Sequence, residues 1–230
     1  MTSPKAGDVV AWLKKTGRKS VRDGMARYAL SSEFAVGVSV GALKKYAKTI
    51  GRDHDLANAL WKTGIYEARL LAAFVGDPAS VTPQEMDRWC KDFDNWGVVD
   101  TVCFSLWDRT PHAHAKVRAW SKRKPEFEKR AAFALLACLA LHDKATKEDT
   151  PYLASLKLIE RAATDDRNFV RKGVSWALRL VGRRSAALHT ASLELSERLT
   201  HSQNPTERWL GKEALKDLGK PALRRKFKYG

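Results

Sequence analysis

Apolar residues recur at i, i+3, i+4 and i+7 in window after window along this chain, and alternating β-branched runs are missing. The pattern predicts helices near 8–16, 20–30, 40–50, 53–63, 65–75, 83–94 and 97–107. It continues with helices near 112–121, 125–142, 150–163, 167–183, 187–201 and 206–218. Short punctuators separate them: Gly51, Gly64, Gly76-Asp77-Pro78, Thr110-Pro111, Pro125, Thr150-Pro151 and Asn204-Pro205. Several put a small polar residue before a proline, which the first helical position tolerates because its N–H has no partner there. The helix at 125–142 is apolar all round from Ala131 to Leu141, so it is expected to be central and buried. The chain therefore reads as all-α, a single domain over residues 1–230.

A weak internal repeat runs through these helices. An aromatic followed three residues later by a base opens four of them: Tyr66 with Arg69, Phe127 with Arg130, Phe169 with Lys172, and Trp209 with Lys212. Trp96 falls halfway between the first two, so the spacings are 30, 31, 42 and 40 residues. That is the range of two-helix solenoid repeats, whose stacked pairs make a curved superhelix with a concave face. A non-repeating helical bundle is the alternative.

Two helices carry side chains that the core does not explain. Around 170–183, Val170, Val174, Ala177, Leu178 and Val181 form the core face at 100° per residue. Lys172, Trp176, Arg179 and Arg183 fall opposite, placing an indole inside a basic stripe. This reads either as packing against a neighbouring helix or as an aromatic contact to a nucleotide flanked by phosphate-binding bases. Near 97–107, the repeat's base is replaced by Val99, and Asp100 follows. Trp96, Asp100, Phe104 and Trp107 share a face, so an acid stands among three aromatics. A carboxylate there needs an ion-pair partner on a neighbouring helix, such as the one that includes Arg130, or a positively charged ligand. Arg130 itself fits a phosphate or sugar contact and a structural salt bridge equally well.

Charge narrows the field of partners. The 230 residues carry a formal net charge of +16, which suits a polyanion better than a small metabolite. Anionic membrane surface is the rival partner, although no apolar run is long enough to cross a bilayer. The segment from Met1 to Lys15 has no signal-peptide layout. Cys90, Cys103 and Cys138 lack Cys-x-x-Cys spacing and read as buried thiols in a reducing cytosol rather than a zinc site. His112 and His114, two apart, do not converge on a helix, and no Gly-rich phosphate loop or Gly-x-Ser-x-Gly occurs. The basic stretch from Lys220 to Lys228 reads as a solvated end.

Several fragments in order complete the picture. Val36-Gly37-Val38-Ser39-Val40 precedes Leu43-Lys44-Lys45-Tyr46-Ala47-Lys48, then come Leu60-Trp61 and Tyr66-Glu67-Ala68-Arg69-Leu70-Leu71-Ala72. Trp96-x-x-x-Asp100, Lys129-Arg130-Ala131-Ala132 and the stretch from Phe169 through Trp176 to Arg179 follow. This order resembles the HEAT-like-repeat DNA alkylation repair glycosylases of the AlkD type, over most of the chain. The resemblance implies HEAT-like repeats with a basic concave face. It implies excision of N3- or N7-alkylated purines, such as 3-methyladenine and 7-methylguanine, from double-stranded DNA, with no metal or cofactor. By that match Asp100 is the catalytic carboxylate, Trp96 and Trp176 flank the lesion's deoxyribose, and Arg130 and Arg179 contact DNA. Tyr28 and Ser39 fall where N-terminal duplex contacts are expected, and Lys172 and Arg183 extend the basic stripe. The family often has an acid directly after the tryptophan, where this chain has Gly97. The departure bears on the local helix start and on lesion preference.

The implied chemistry suits a single acid. Alkylation makes the base a cation that leaves as a neutral molecule, and charge develops on the sugar as an oxocarbenium ion. One carboxylate stabilises that ion and positions water, and indole faces add a cation–π contribution of roughly 0.5–2 kcal/mol each. A monomeric, cytoplasmic enzyme is the expectation, nucleoid-associated if the source is bacterial. The alternative is a non-catalytic helical-repeat protein recognising damaged or branched DNA.

Overall fold

Side-chain oxygens at helix starts fix much of the secondary structure. Ser39, Asp53, Thr82, Asn95, Ser185 and Asn204 each accept a backbone N–H from the first turn that follows them. Pro83 and Pro205 stand directly after two of these caps. At the other end, Gly51 and Gly64 take positive φ, 80° and 71°, which a side chain would oppose.

The computed structural model describes residues 4–227. Among them the first helices are α1 (Ala6–Thr16), α2 (Lys19–Asp23), α3 (Val40–Ile50), α4 (His54–Trp61), α5 (Tyr66–Val75), α6 (Pro83–Lys91) and α7 (Trp96–Ser105). The rest are α8 (Ala113–Trp120), α9 (Glu126–His142), α10 (Thr150–Ala162), α11 (Asn168–Val181), α12 (Ala186–Thr200), α13 (Pro205–Leu218) and α14 (Pro221–Lys226). Every predicted helix has a counterpart, and no strand occurs among the described residues. The differences are local. The helix expected at 20–30 breaks at Gly24 into a 3-10 turn, Gly24–Tyr28, which ends in left-handed Ala29. Residues 221–226 form α14, which is largely exposed as expected of a solvated end, and Lys226 donates to the Arg183 carbonyl; Lys228 lies outside the described residues.

The chain divides into two compact units, Met1–Thr110 and Pro111–Gly230. In the first, α5 packs on α1, α3, α4 and α7. An aromatic cluster supports it: Trp61 stacks on Trp89 at 4.0 Å between ring centroids, and the Arg69 guanidinium lies over Trp61. In the second, α9, α11 and α13 pack side by side as one layer, with α8, α10 and α12 as another. This is a two-helix repeat. The buried run from Arg130 to Ala140 on α9 confirms that this helix is central.

Aromatic and basic residues near the helix starts join neighbours within a layer. Phe127 and Phe169 meet at 5.3 Å, Arg130 donates to the Phe169 carbonyl at 2.7 Å, and Arg171 lies over the Trp209 ring. In the first unit a buried carboxylate plays the joining role. Glu67 accepts the backbone N–H groups of Val36, Gly37 and Val38 at 2.9, 2.6 and 3.2 Å. Gly37, at φ +89°, is obligatory there, because a Cβ would lie 2.2 Å from the Arg18 carbonyl oxygen.

Glu67→Ala strands three inward amides and is expected to cost about 3 kcal/mol in urea unfolding. Asp165 offers a pH test. Hydrogen bonds from Arg167 and from Lys129, at 2.6 and 2.8 Å, outweigh burial and hold its carboxyl down at about 2. A depressed acid stabilises the fold fully above its unfolded value of 3.8 and loses that contribution as pH falls through about 2. Asp165→Asn should therefore lower stability at pH 7 by about 1 kcal/mol after solvent screening, with the gap from wild type closing in melts toward pH 2.

Candidate functional site

The residues singled out in the sequence fall into two groups, one in each unit. In the first unit the site is built on α7. Asn95 caps the helix by accepting the Val98 N–H at 2.9 Å, which fixes Trp96 at its first position. The buried face of α7 carries Val98, Val99, Val102 and Cys103. Trp96, Asp100 and Phe104, four residues apart, run along another stripe. Asp100 is half-buried, and Phe104 is 40% exposed.

Trp96 is held in place by a distant segment. Its indole N–H donates to the Tyr28 carbonyl at 2.8 Å. Tyr28 itself is 67% exposed, so its backbone anchors the indole while its ring faces solvent. Sequence reasoning placed Tyr28 near the site but gave no sign that its carbonyl serves Trp96. Ser39 is exposed and caps α3 through the Ala42 N–H, so its hydroxyl already has a structural acceptor role.

Trp107 does not join the Asp100 face. The helix stops at Ser105, Leu106 turns the chain (φ −134°, ψ −59°), and Trp107 enters a 3-10 turn. It is fully buried, tilted against Phe93 at 5.5 Å and Trp89 at 6.4 Å. The loss of helical phase after Ser105 moves its side chain into the core.

Gly97 stands where a side chain would be crowded. A Cβ there would lie 2.7 Å from the Tyr66 hydroxyl oxygen and 3.2 Å from Leu30 Cδ2. Burial, assisted by the negative Glu67, pushes the Tyr66 hydroxyl up to about 12, so it stays protonated. The sequence could report only that Gly97 departs from a pattern. The close approach of Tyr66, from another helix, supplies the reason.

In the second unit the site lies along α11. Lys172 is exposed, and Trp176 and Arg179 are half-buried, with the Arg179 Nε–H donating to the Ser175 carbonyl at 3.1 Å. Val170, Val174, Ala177, Leu178 and Val181 are all buried, as the periodicity predicts. Arg130 is buried on α9 and reaches the start of α11 through the Phe169 carbonyl. Arg183 stands past the end of the helix. The helix ends at Val181, and the Arg183 guanidinium is paired with Asp217 of α13. The physical reason is again a helix end, since Gly182 stops the 100° progression one residue before it.

His114 stands 3.6 Å from Asp143 and edge-on to Tyr152, a structural contact of α8 with α10. Among the described residues no group of three or more His, Cys, Asp or Glu is placed to hold a metal ion, and no helix is long and apolar enough to cross a membrane.

Comparison with known proteins gives these features a context. The family described as DNA alkylation repair enzyme matches residues 9–218. No curated protein matches the chain. Among solved structures it is similar to one described as "A new family of proteins related to the HEAT-like repeat DNA glycosylases with affinity for branched DNA structures". That likeness has a TM-score of 0.76 at 20% identity, covering 94% of this chain and 97% of the other. The fold is thus of the HEAT-like, all-α repeat kind.

The contact at Gly97 is testable. Gly97→Ala should lower stability by about 1 kcal/mol, because overpacking outweighs the helix-propensity gain. Combined with Tyr66→Phe, which removes the hydroxyl, the same change should become neutral or stabilising. A double-mutant cycle by urea unfolding measures the coupling.

Proposed function

This chain belongs to the DNA alkylation repair enzyme family, and on that premise we propose that it is a DNA glycosylase for cationic N3- and N7-alkylated purines in duplex DNA. It acts as a monomeric cytoplasmic enzyme without metal or cofactor, its two units serving one function as a single domain. The observation that carries the reading is the start of α7. A half-buried carboxylate, Asp100, stands one turn after an indole, Trp96, that the Tyr28 carbonyl locks in position.

The chemistry follows from those groups. Cleavage of the N-glycosidic bond releases the alkylated purine as a neutral base and leaves positive charge on the sugar. The Asp100 carboxylate stabilises that oxocarbenium ion and orients the water that attacks it. No general acid is required, because the leaving group already carries the charge it must lose. Trp96 offers a ring face to the cationic sugar, and Trp176 is the aromatic candidate of the second unit. Lys172, Arg130 and Arg179 serve the phosphates and sugars, supported by a net charge of +16. Arg183 is spoken for by Asp217 and contributes least.

One observation favours a second reading. The solved relative is described as related to the glycosylases and as having affinity for branched DNA structures. A non-catalytic binder of branched or damaged DNA is therefore the alternative. Both are tested by incubating the protein with methylated duplex DNA and identifying the free bases. The glycosylase reading expects 7-methylguanine or 3-methyladenine, with release at least about tenfold slower in Asp100→Asn. Full activity in that variant would remove Asp100 from the mechanism. No base release, together with salt-sensitive binding to a four-way junction, would establish the second reading.

A further inference from the structure

A cleft of about 510 Å³ opens in the first unit, beyond the part of α7 that carries Trp96 and Asp100. Lys44, Lys48, Arg52, Phe74, Phe104 and Arg109 line it. Four of these six are cations, and among the described residues no acid lines the cleft. Two of the charges are fixed by helix ends. Arg52 donates to the Phe74 and Gly76 carbonyls at the end of α5, and Arg109 to the Ser105 carbonyl at the end of α7. Those contacts give the arginines a structural reason to be there.

They do not account for the rest. Lys44 and Lys48 lie one turn apart on the exposed face of α3, whose buried face carries Leu43 and Ala47. The Lys44 ammonium stands 5.7 Å from the centre of the Phe74 ring. Phe104 remains 40% exposed beside them. Cations alone suit the phosphates of any nucleic acid, but a duplex keeps its base faces stacked inside. Aromatic rings in a basic cleft serve a strand whose bases are unstacked.

We infer that this cleft binds a single-stranded segment of DNA, with a base against Phe104 and phosphates on Lys44 and Lys48. The inference goes beyond base excision and rests only on the nucleic-acid-binding part of the function proposed above. Arg52 and Arg109 contribute fixed positive potential rather than mobile contacts.

The test is fluorescence anisotropy with two probes, a labelled thymidine oligonucleotide of about a dozen residues and a blunt, unmodified duplex. Phe104→Ala should weaken the oligonucleotide by about tenfold while changing duplex affinity by less than about twofold. Phe104→Trp, which keeps the ring, should bind the oligonucleotide as wild type does. Lys48→Gln should weaken the oligonucleotide and reduce the slope of log affinity against log salt by about 0.7. Unchanged oligonucleotide binding in Phe104→Ala would overturn the proposal, and so would an equal loss on the duplex. Asp100→Asn should bind the oligonucleotide normally. Failure of base release and failure of the cleft are thereby read in separate experiments.

Discussion

The first turn of α5 is the joint on which the first unit depends. Within two residues it does three things. The Tyr66 N–H donates to the Phe34 carbonyl, the Tyr66 hydroxyl presses against Gly97 at the start of α7, and Glu67 gathers three amides from 36–38. A carboxylate that is 1% exposed is costly in an apolar interior unless its oxygens are filled, and here they are. The interaction converts a stretch without regular structure into a fixed wall. The chain on either side of that wall carries the elements that the candidate site uses.

The second unit adds ring contacts to the same kind of joint. There Phe127 and Phe169 pack ring to ring, and Arg130 reaches across to the Phe169 carbonyl. The aromatic and basic pair that opens α9 is thus first a joining device. It also constrains Arg130, whose guanidinium is already partly used by α11.

Such shared use recurs through the candidate site. Tyr28 anchors an indole through its carbonyl while its ring stays in solvent, and Ser39 caps a helix while remaining exposed. Arg52 and Arg109 tie off helix ends while lending charge to a cleft. Fixed groups of this kind meet a ligand without losing much rotamer freedom, because the fold has already taken it. Lys44, Lys48 and Lys172, exposed and long, carry the opposite character and suit phosphates whose position varies.

The sequence alone determined the helices, their order and their buried faces, because periodicity and capping are local and the physics behind them acts over a few residues. It determined that α9 is central and that Trp176 stands apart from the core residues of α11. It also placed Asp100 one turn after Trp96. Tertiary structure decided the rest. Trp107 was read as part of the Asp100 face and lies in the core, and Arg183 was read into the basic stripe and pairs with Asp217. Both follow a helix end, where a 100° progression no longer holds. Gly97 drew notice only as a missing acid, and its cause, the Tyr66 hydroxyl, comes from 31 residues away. The carbonyl of Tyr28 holding Trp96 is 68 residues distant and is a backbone atom, which no residue identity encodes. What a sequence pattern cannot contain is the meeting of distant atoms, and in this protein those meetings position the side chains of the site.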